Sequence, residues 1–276
     1  MRISGIICLF IVTAFFPAGA MPPEPGEVPY RLVFSDEFNT DGKPAAHWGY
    51  EMGYVREGEA QYYTDDIENA YVGDGCLHIV GRKDHLGRQY TSASLNTRGS
   101  FAFMYGRFEV RARIPVSGGS WPAIWMMGND YRWPECGEVD VMEYYSGYIL
   151  ANACRGGEKE RHAVWNDSRT KLTRFTDPDP EWADKFHTWA MEWDEDKMEI
   201  SLDGEILNTI SLGETFNGGW EGNSENPFMA HKPGFGQFIL LNLALGGYNG
   251  GKIDDSDFPR EYLVDYVRVY QRERLP

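Results

Sequence analysis

Apolar and polar residues alternate with a period of two along much of the chain, the mark of strands with one buried face. In GRFEVRARI (106–114), Phe108, Val110, Ala112 and Ile114 share one side, while Arg107, Glu109, Arg111 and Arg113 share the other. Further strand signals run through LHIVGR (77–82), GEVDVMEYY (137–145), ILANACR (149–155), FHTWAMEW (186–193), KMEISLDG (197–204), EILNTI (205–210), QFILLNLAL (237–245) and YLVDYVRVYQ (262–271). Asp74-Gly75 and Asp203-Gly204 supply tight-turn chemistry. Long helical periodicity is nearly absent; a turn or so is expected at 180–185. Many strands, glycine-rich turns and no alternating helices predict an all-β protein whose two antiparallel sheets pack as a jelly-roll sandwich.

One stretch breaks the period. CGEVDVMEYY (136–145) carries Glu138, Asp140 and Glu143, and in an unbroken strand the first two face one way and Glu143 the other. One extra residue around Val141-Met142, a β-bulge, resets the alternation and returns Glu143 to the face of its partners. The two glutamate Cα atoms are then roughly 13 Å apart, at about 3.3 Å per strand step. Side chains of roughly 4 Å reach, leaning together over Asp140, bring the carboxyls to about 5 Å, the separation of a retaining glycosidase. Crowded like charges leave one glutamate protonated as a general acid and the other ionised. The same pattern also fits an acidic face that is simply solvated. A metal site is a third reading, weakened by the lack of histidine in the segment.

The formal net charge of -16 repels polyanions, which excludes nucleic acid as a partner and disfavours heavily sulfated glycans. Nine Trp, sixteen Tyr and fifteen Phe cannot all be core residues, and flat aromatic faces can stack on sugars along a cleft. Residues 1–20 read as a signal peptide: Arg2, then about a dozen apolar residues, then Ala18-Gly19-Ala20, with cleavage near Ala20. The apolar run is too short to span a bilayer. Cys8 sits too early and in a poor context for a lipoprotein anchor. A secreted or periplasmic protein is therefore expected, with residues 21–276 forming a single domain. Cys76, Cys136 and Cys154 remain after cleavage, an odd number that leaves at least one free thiol.

WPAIWMMG (121–128) followed by WPECGEVDVMEYYSG (133–147) resembles glycoside hydrolase family 16, the laminarinase, lichenase, agarase and endo-β-galactosidase group, whose signature is ExDxxE on a bulged strand. The likeness extends in order through FSDEFN (34–39), EAQYYT (59–64), YGRFEVRARIP (105–115), FHTWAMEWDED (186–196), LLNLALGG (240–247) and VDYVRVYQ (264–271). It implies a concanavalin A-like jelly roll with a concave substrate cleft, and a catalytic domain over 21–276. It also implies the roles that spacing alone leaves open: Glu138 as nucleophile, Asp140 as assisting acid, Glu143 as general acid/base.

The resemblance further implies that Trp121, Trp125 and Trp133 floor the subsites beside the cleavage point, with Trp121, next to Pro122, the one to serve the core if any does. Gln61, Tyr63 and Asn69 are expected in the negative subsites, with Arg98 and Asn242 as further polar candidates. Hairpin counting pairs 149–155 with the catalytic strand, so that Asn152, or its neighbours Ala153 and Arg155, approaches the sugar; His162 and Trp165 are placed on a neighbouring loop. A structural calcium is implied at Glu37, the Gly75 carbonyl and Asp265, oxygen donors that suit a hard cation; catalysis itself requires no cofactor. The expected partner is an oligo- or polysaccharide and the expected state a monomer. The reaction expected is retaining, endo-acting hydrolysis, first of a β-1,3(4)-glucan. The altered 149–168 region keeps a second substrate in view, the poly-lactosamine of mucin-type O-glycans or keratan, for an endo-β-galactosidase. A lectin-like module that binds without cutting is the competing class.

Overall fold

A computed structural model describes residues 29–230 and 232–272; the expected signal peptide and its cleavage site lie outside them. The strands are β1 (Tyr30–Asp36), β2 (Gly49–Tyr50), β3 (Tyr62–Tyr63), β4 (Ala70–Gly73), β5 (Cys76–His85), β6 (Arg88–Ser92), β7 (Ser94–Asn96), β8 (Gly106–Arg113), β9 (Ser120–Gly128), β10 (Glu138–Tyr145), β11 (Tyr148–Gly156), β12 (Ala163–Lys171), β13 (His187–Trp193), β14 (Lys197–Leu202), β15 (Glu205–Ser211), β16 (Gln237–Leu245) and β17 (Arg260–Arg272). One sheet runs β15-β14-β13-β8-β17-β5-β6-β3, with β1 on β17 and β4 on β5; the other runs β12-β11-β10-β9-β16-β7-β2. The two sheets form the expected all-β jelly roll, and the short helical turn falls at Trp182–Asp184. No helix among the described residues is long and apolar enough to cross a membrane.

Alternation places the core. Phe108, Val110 and Ala112 on one side of β8, and Ile114 just after it, share a core with Trp189, Met191 and Trp193 of β13 and, across the sandwich, Ile124, Met126, Val139, Ile239, Leu241 and Leu243. Each such side chain contributes roughly 1.5–3 kcal/mol on leaving water. The opposite face of β8 is wet and charged: Arg107 pairs with Glu109 and Glu192, Arg111 with Asp265, and Arg113 with Glu261.

A second, smaller apolar cluster of Ala123, Trp125, Phe238 and Leu240, edged by Ala102 and Met127, lies apart from this core. It belongs to the outer face of the seven-stranded sheet, where β9 and β16 pair Trp125 with Leu240 and Met127 with Phe238. Strand β9 escapes the alternation rule because both of its faces are covered, and it runs on through Pro122, which keeps its place opposite Leu243 of β16. Strand β12 escapes for the opposite reason: no position of it is fully buried.

Candidate active site

The predicted bulge is present in β10. Against β9, Asp140 pairs with Trp125 and Met142 with the next residue, Ile124, which leaves Val141 as the extra residue. Against β11, Asp140 pairs with Asn152 and Glu143 with Leu150, so two residues of β10 oppose Ala151 alone. The cause is apolar: Val139, Val141, Met142 and Tyr144 all enter the core. Two consecutive residues on the core face leave Glu138, Asp140 and Glu143 together on the other.

Each glutamate is held by one tryptophan. The Trp121 indole Nε1 donates to Glu143 Oε1 at 2.8 Å, and the Trp133 indole Nε1 donates to Glu138 Oε2. Between them Asp140 is 1% exposed, and Asn152 Nδ2 donates to its Oδ2 at 3.4 Å. Asn152 is itself oriented by the Ser168 amide, which donates to its Oδ1 at 3.1 Å.

Burial governs the protonation states. It pushes Glu143 up to about 7, with the charge on Glu138 adding to the rise and hydrogen bonds from Trp121 and Asp140 opposing it. Burial also raises Glu138, against hydrogen bonds from Trp133 and Asp140 and the attraction of Arg56. Asp140 lies well above the carboxylate range, through burial first and then the charges of Glu143 and Glu138. A neutral Asp140 has one proton to give, and given to Glu138 it supports ionisation there while Glu143 keeps its own proton near neutrality.

The aromatic positions divide differently from expectation. Trp133 is 41% exposed and Trp165 is 42% exposed, whereas Trp125, not Trp121, is the buried one at 6%. The Arg56 guanidinium lies over the Trp125 ring at 4.7 Å, and Trp125 Nε1 donates to Asn242 Oδ1 at 2.7 Å. Trp125 is therefore not an open stacking platform. Trp165 lies in β12 rather than on a loop, opposite Cys154, which in turn opposes Glu138; His162 is in the tight turn where the Gly157 amide bonds its carbonyl.

Several polar candidates form a layer behind the cleft instead of lining it. Asn69 is fully buried, giving its amide hydrogens to the Val80 carbonyl and Thr91 and accepting from Thr64. Gln61 accepts the Leu245 amide and donates to Glu59, while the Tyr63 hydroxyl accepts from Asn242 Nδ2 at 2.9 Å. Asn152 is likewise buried, with its amide directed at Asp140. Arg98 is exposed, lies 5.5 Å over the Phe238 ring, and lines a groove of about 360 Å³ with Glu51, Asn96, Met127, Phe238 and Leu240. Arg56 and Glu51 were missed by sequence reasoning; the signal available was one cation among three glutamates in EMGYVREGEA.

As side-chain ligands, the residues expected at a calcium do not fit one. Arg268 takes both oxygens of Glu37, at 2.9 and 2.6 Å, and Arg111 donates to Asp265 at 2.5 Å. Gly75 lies in the turn before β5. Guanidinium groups already neutralise the carboxylates that a hard cation would need. Among the described residues no group of three His, Cys, Asp or Glu side chains could hold a metal ion. Cys76, Cys136 and Cys154 are free thiols.

Two glutamates on one face of a bulged strand of a β-sandwich, each bonded by an indole N–H and with a buried acid between them, define a glycosidase. The chain belongs to the glycosyl hydrolases family 16, whose model matches residues 58–231. It is 37% identical to the beta-glucanase of Rhodothermus marinus over 88% of this chain and 85% of that protein. It is 29% identical to the glucan endo-1,3-beta-glucosidase A1 of Niallia circulans over 91% of this chain, and spans only 39% of that longer protein. A solved structure from work on endo-acting O-glycanases with which human gut bacteria initiate mucin breakdown superposes with a TM-score of 0.76, at 30% identity, over 91% of this chain and 94% of that one.

Proposed function

We propose that this protein is a retaining, endo-acting hydrolase of β-1,3(4)-glucan. The observation that carries the mechanism is the single bulge that puts Glu138, Asp140 and Glu143 on one face of β10, with Asp140 buried between the two glutamates. Carboxyls that share one small partner fit the close spacing of a retaining pair better than the wide gap in which an inverting enzyme seats a water. Glu138 attacks the anomeric carbon as the C–O bond to the leaving sugar breaks, and Glu143 gives its proton to the departing oxygen. Glu143 then takes a proton from water, whose oxygen displaces Glu138 from the same carbon and restores both residues. A binding module has no use for two half-buried glutamates flanking a buried aspartate, which weighs against the lectin-like reading. The glucan assignment rests on the glucanase relatives; the leader-like residues 1–20 agree with a substrate met outside the cytoplasm.

A galactose-containing O-glycan is the second reading, supported by the O-glycanase structure and by Asp167 and Arg169 of β12, which align across the sheet with Asp140 and Glu143. A product screen over laminarin, mixed-linkage glucan, keratan and mucin O-glycans separates the two. Glucan oligosaccharides are expected; cleavage confined to galactose-containing chains would replace the first reading by the second. Proton NMR of the first product should show the β-anomer before mutarotation, and an initial α-anomer would exclude retention.

The pH dependence follows from Glu143, which must be protonated to act as the acid. Since its folded pKa is raised to about 7, kcat/KM should fall as pH rises through about 7. Hydrolysis rates across pH 4–9 check this; a plateau that persists to pH 9 would contradict the assignment of Glu143 as the acid.

A further inference from the structure

The cleft floor carries a cation to which the displacement chemistry assigns no step. Arg56 lies on the ring of Trp125, itself the cross-strand partner of Asp140. Arg56 Nη2 donates to both oxygens of Glu51, at 2.9 and 2.8 Å. Glu51 is fixed in turn: Ser94 Oγ donates to its Oε2 at 2.6 Å, and its amide donates to the Ser94 carbonyl. A planar guanidinium that is stacked on one face and clamped at one edge has little freedom to swing away. Its Nη1 is buried and has no hydrogen-bond acceptor among the described residues. A buried donor left unpaired is costly and calls for a reason.

We propose that Arg56 is a positioning residue of the reaction, a fixed cation whose field sets how protons are shared among Glu138, Asp140 and Glu143. This rests on the glycosidase reading of the site. Three crowded carboxylates, one buried and two half-buried, would all favour the neutral form, and a neutral Glu138 cannot attack. Other charged or titratable groups near the triad are Cys136 and Tyr145 of β10 and its approach, Cys154 of β11, Asp167 and Arg169 of β12, and Glu51, Glu59 and Tyr63 from the segment that carries Arg56. Arg169 stacks on Tyr148 instead. Arg56 attracts the ionised form of both glutamates.

The test is kcat/KM against pH for wild type, Arg56→Met and Arg56→Lys on a soluble β-glycan that the wild type cleaves. With the charge removed, both limbs of the profile should move to higher pH by about one unit, which lowers the rate on the acid limb ~tenfold. Arg56→Lys keeps the charge and should hold both limbs within a few tenths of a unit. Coincident limbs for Arg56→Met and wild type would overturn the proposal, whatever happens to Tm; so would Arg56→Lys shifting as far as Arg56→Met. Should Arg56→Met fail to fold, Arg56→Gln, which keeps a flat amide over Trp125, is read by the same criteria. Carbon-13 NMR titration of the glutamate carboxyls gives the same readout without turnover. Failure here thus stays distinct from failure of the glycosidase reading, which an inactive wild type would signal.

Discussion

Glu138→Gln and Glu143→Gln should each cut oligosaccharide release by roughly 10⁴-fold, toward the upper end of what a single acid, base or nucleophile contributes. Both replacements keep side-chain shape and preserve an acceptor for the indole donors Trp133 and Trp121. They should therefore leave the fold and glycan binding intact, so calorimetric titration with an oligosaccharide should still report an affinity near that of the wild type. The two failures differ in kind. Without Glu138 no glycosyl-enzyme forms, and Glu138→Ala leaves space in which added azide can attack the anomeric carbon from the vacated side, giving a glycosyl azide of inverted configuration. Without Glu143 the leaving group departs unassisted, so substrates with good leaving groups, such as nitrophenyl glycosides, should lose far less than natural glycans. Unchanged product formation in both glutamine variants would remove the catalytic assignment.

Asp140→Ala should lower kcat by roughly 10²-fold, a typical loss when a positioned proton donor is removed. The buried Asp140 lies between Glu138 and Glu143 on the acid face of the bulge, where its one O–H can be given to either glutamate in turn. Its loss takes that donor from the nucleophile and leaves the Asn152 amide facing an empty volume. Glu138 then ionises less readily, so the acid limb of the pH profile should move upward. Asp140→Asn keeps an N–H that can point at Glu138 and should retain more activity than Asp140→Ala. Equal activity of Asp140→Ala and wild type at every pH would show that the middle acid has no part in the reaction.

Much of the architecture was legible because period-two patterning reports which side of a strand leaves water. Phe108, Val110 and Ala112 lie in β8 with Ile114 directly after its end, and each of the nine strand signals overlaps an observed strand. The bulge was legible from the broken spacing of Glu138, Asp140 and Glu143, and the structure adds its cause: Val139, Val141, Met142 and Tyr144 can share a core only if one residue is surplus. Strand β9 was not recognised as a strand, since burial on both faces erases alternation and Pro122 reads as a break. Strand β12 was missed because an edge strand with charged and polar residues on both sides carries no pattern.

The subsite expectations fared less evenly, for a reason visible in Trp125, Tyr63, Asn69 and Asn242. Aromatic and amide side chains are as useful behind a cleft as in it, because a buried hydrogen-bonded layer fixes the backbone of the strands that carry the chemistry. Sequence gives their presence near the site but not their depth. Arg56 illustrates the converse, since a loop residue becomes part of the floor only when Glu51 and Trp125 hold it there.

The chain by itself determined the two sheets, the bulge, and the sharing of one face by Glu138, Asp140 and Glu143, because these follow from local alternation and the apolar preference of a handful of positions. Only the tertiary structure decided which acid keeps a proton, which tryptophan faces the groove and which lies beneath an arginine. Those outcomes depend on burial and on charges and hydrogen-bond donors brought from residues 51–63 and from β9, β11 and β12, and desolvation and Coulomb forces act through space rather than along the chain.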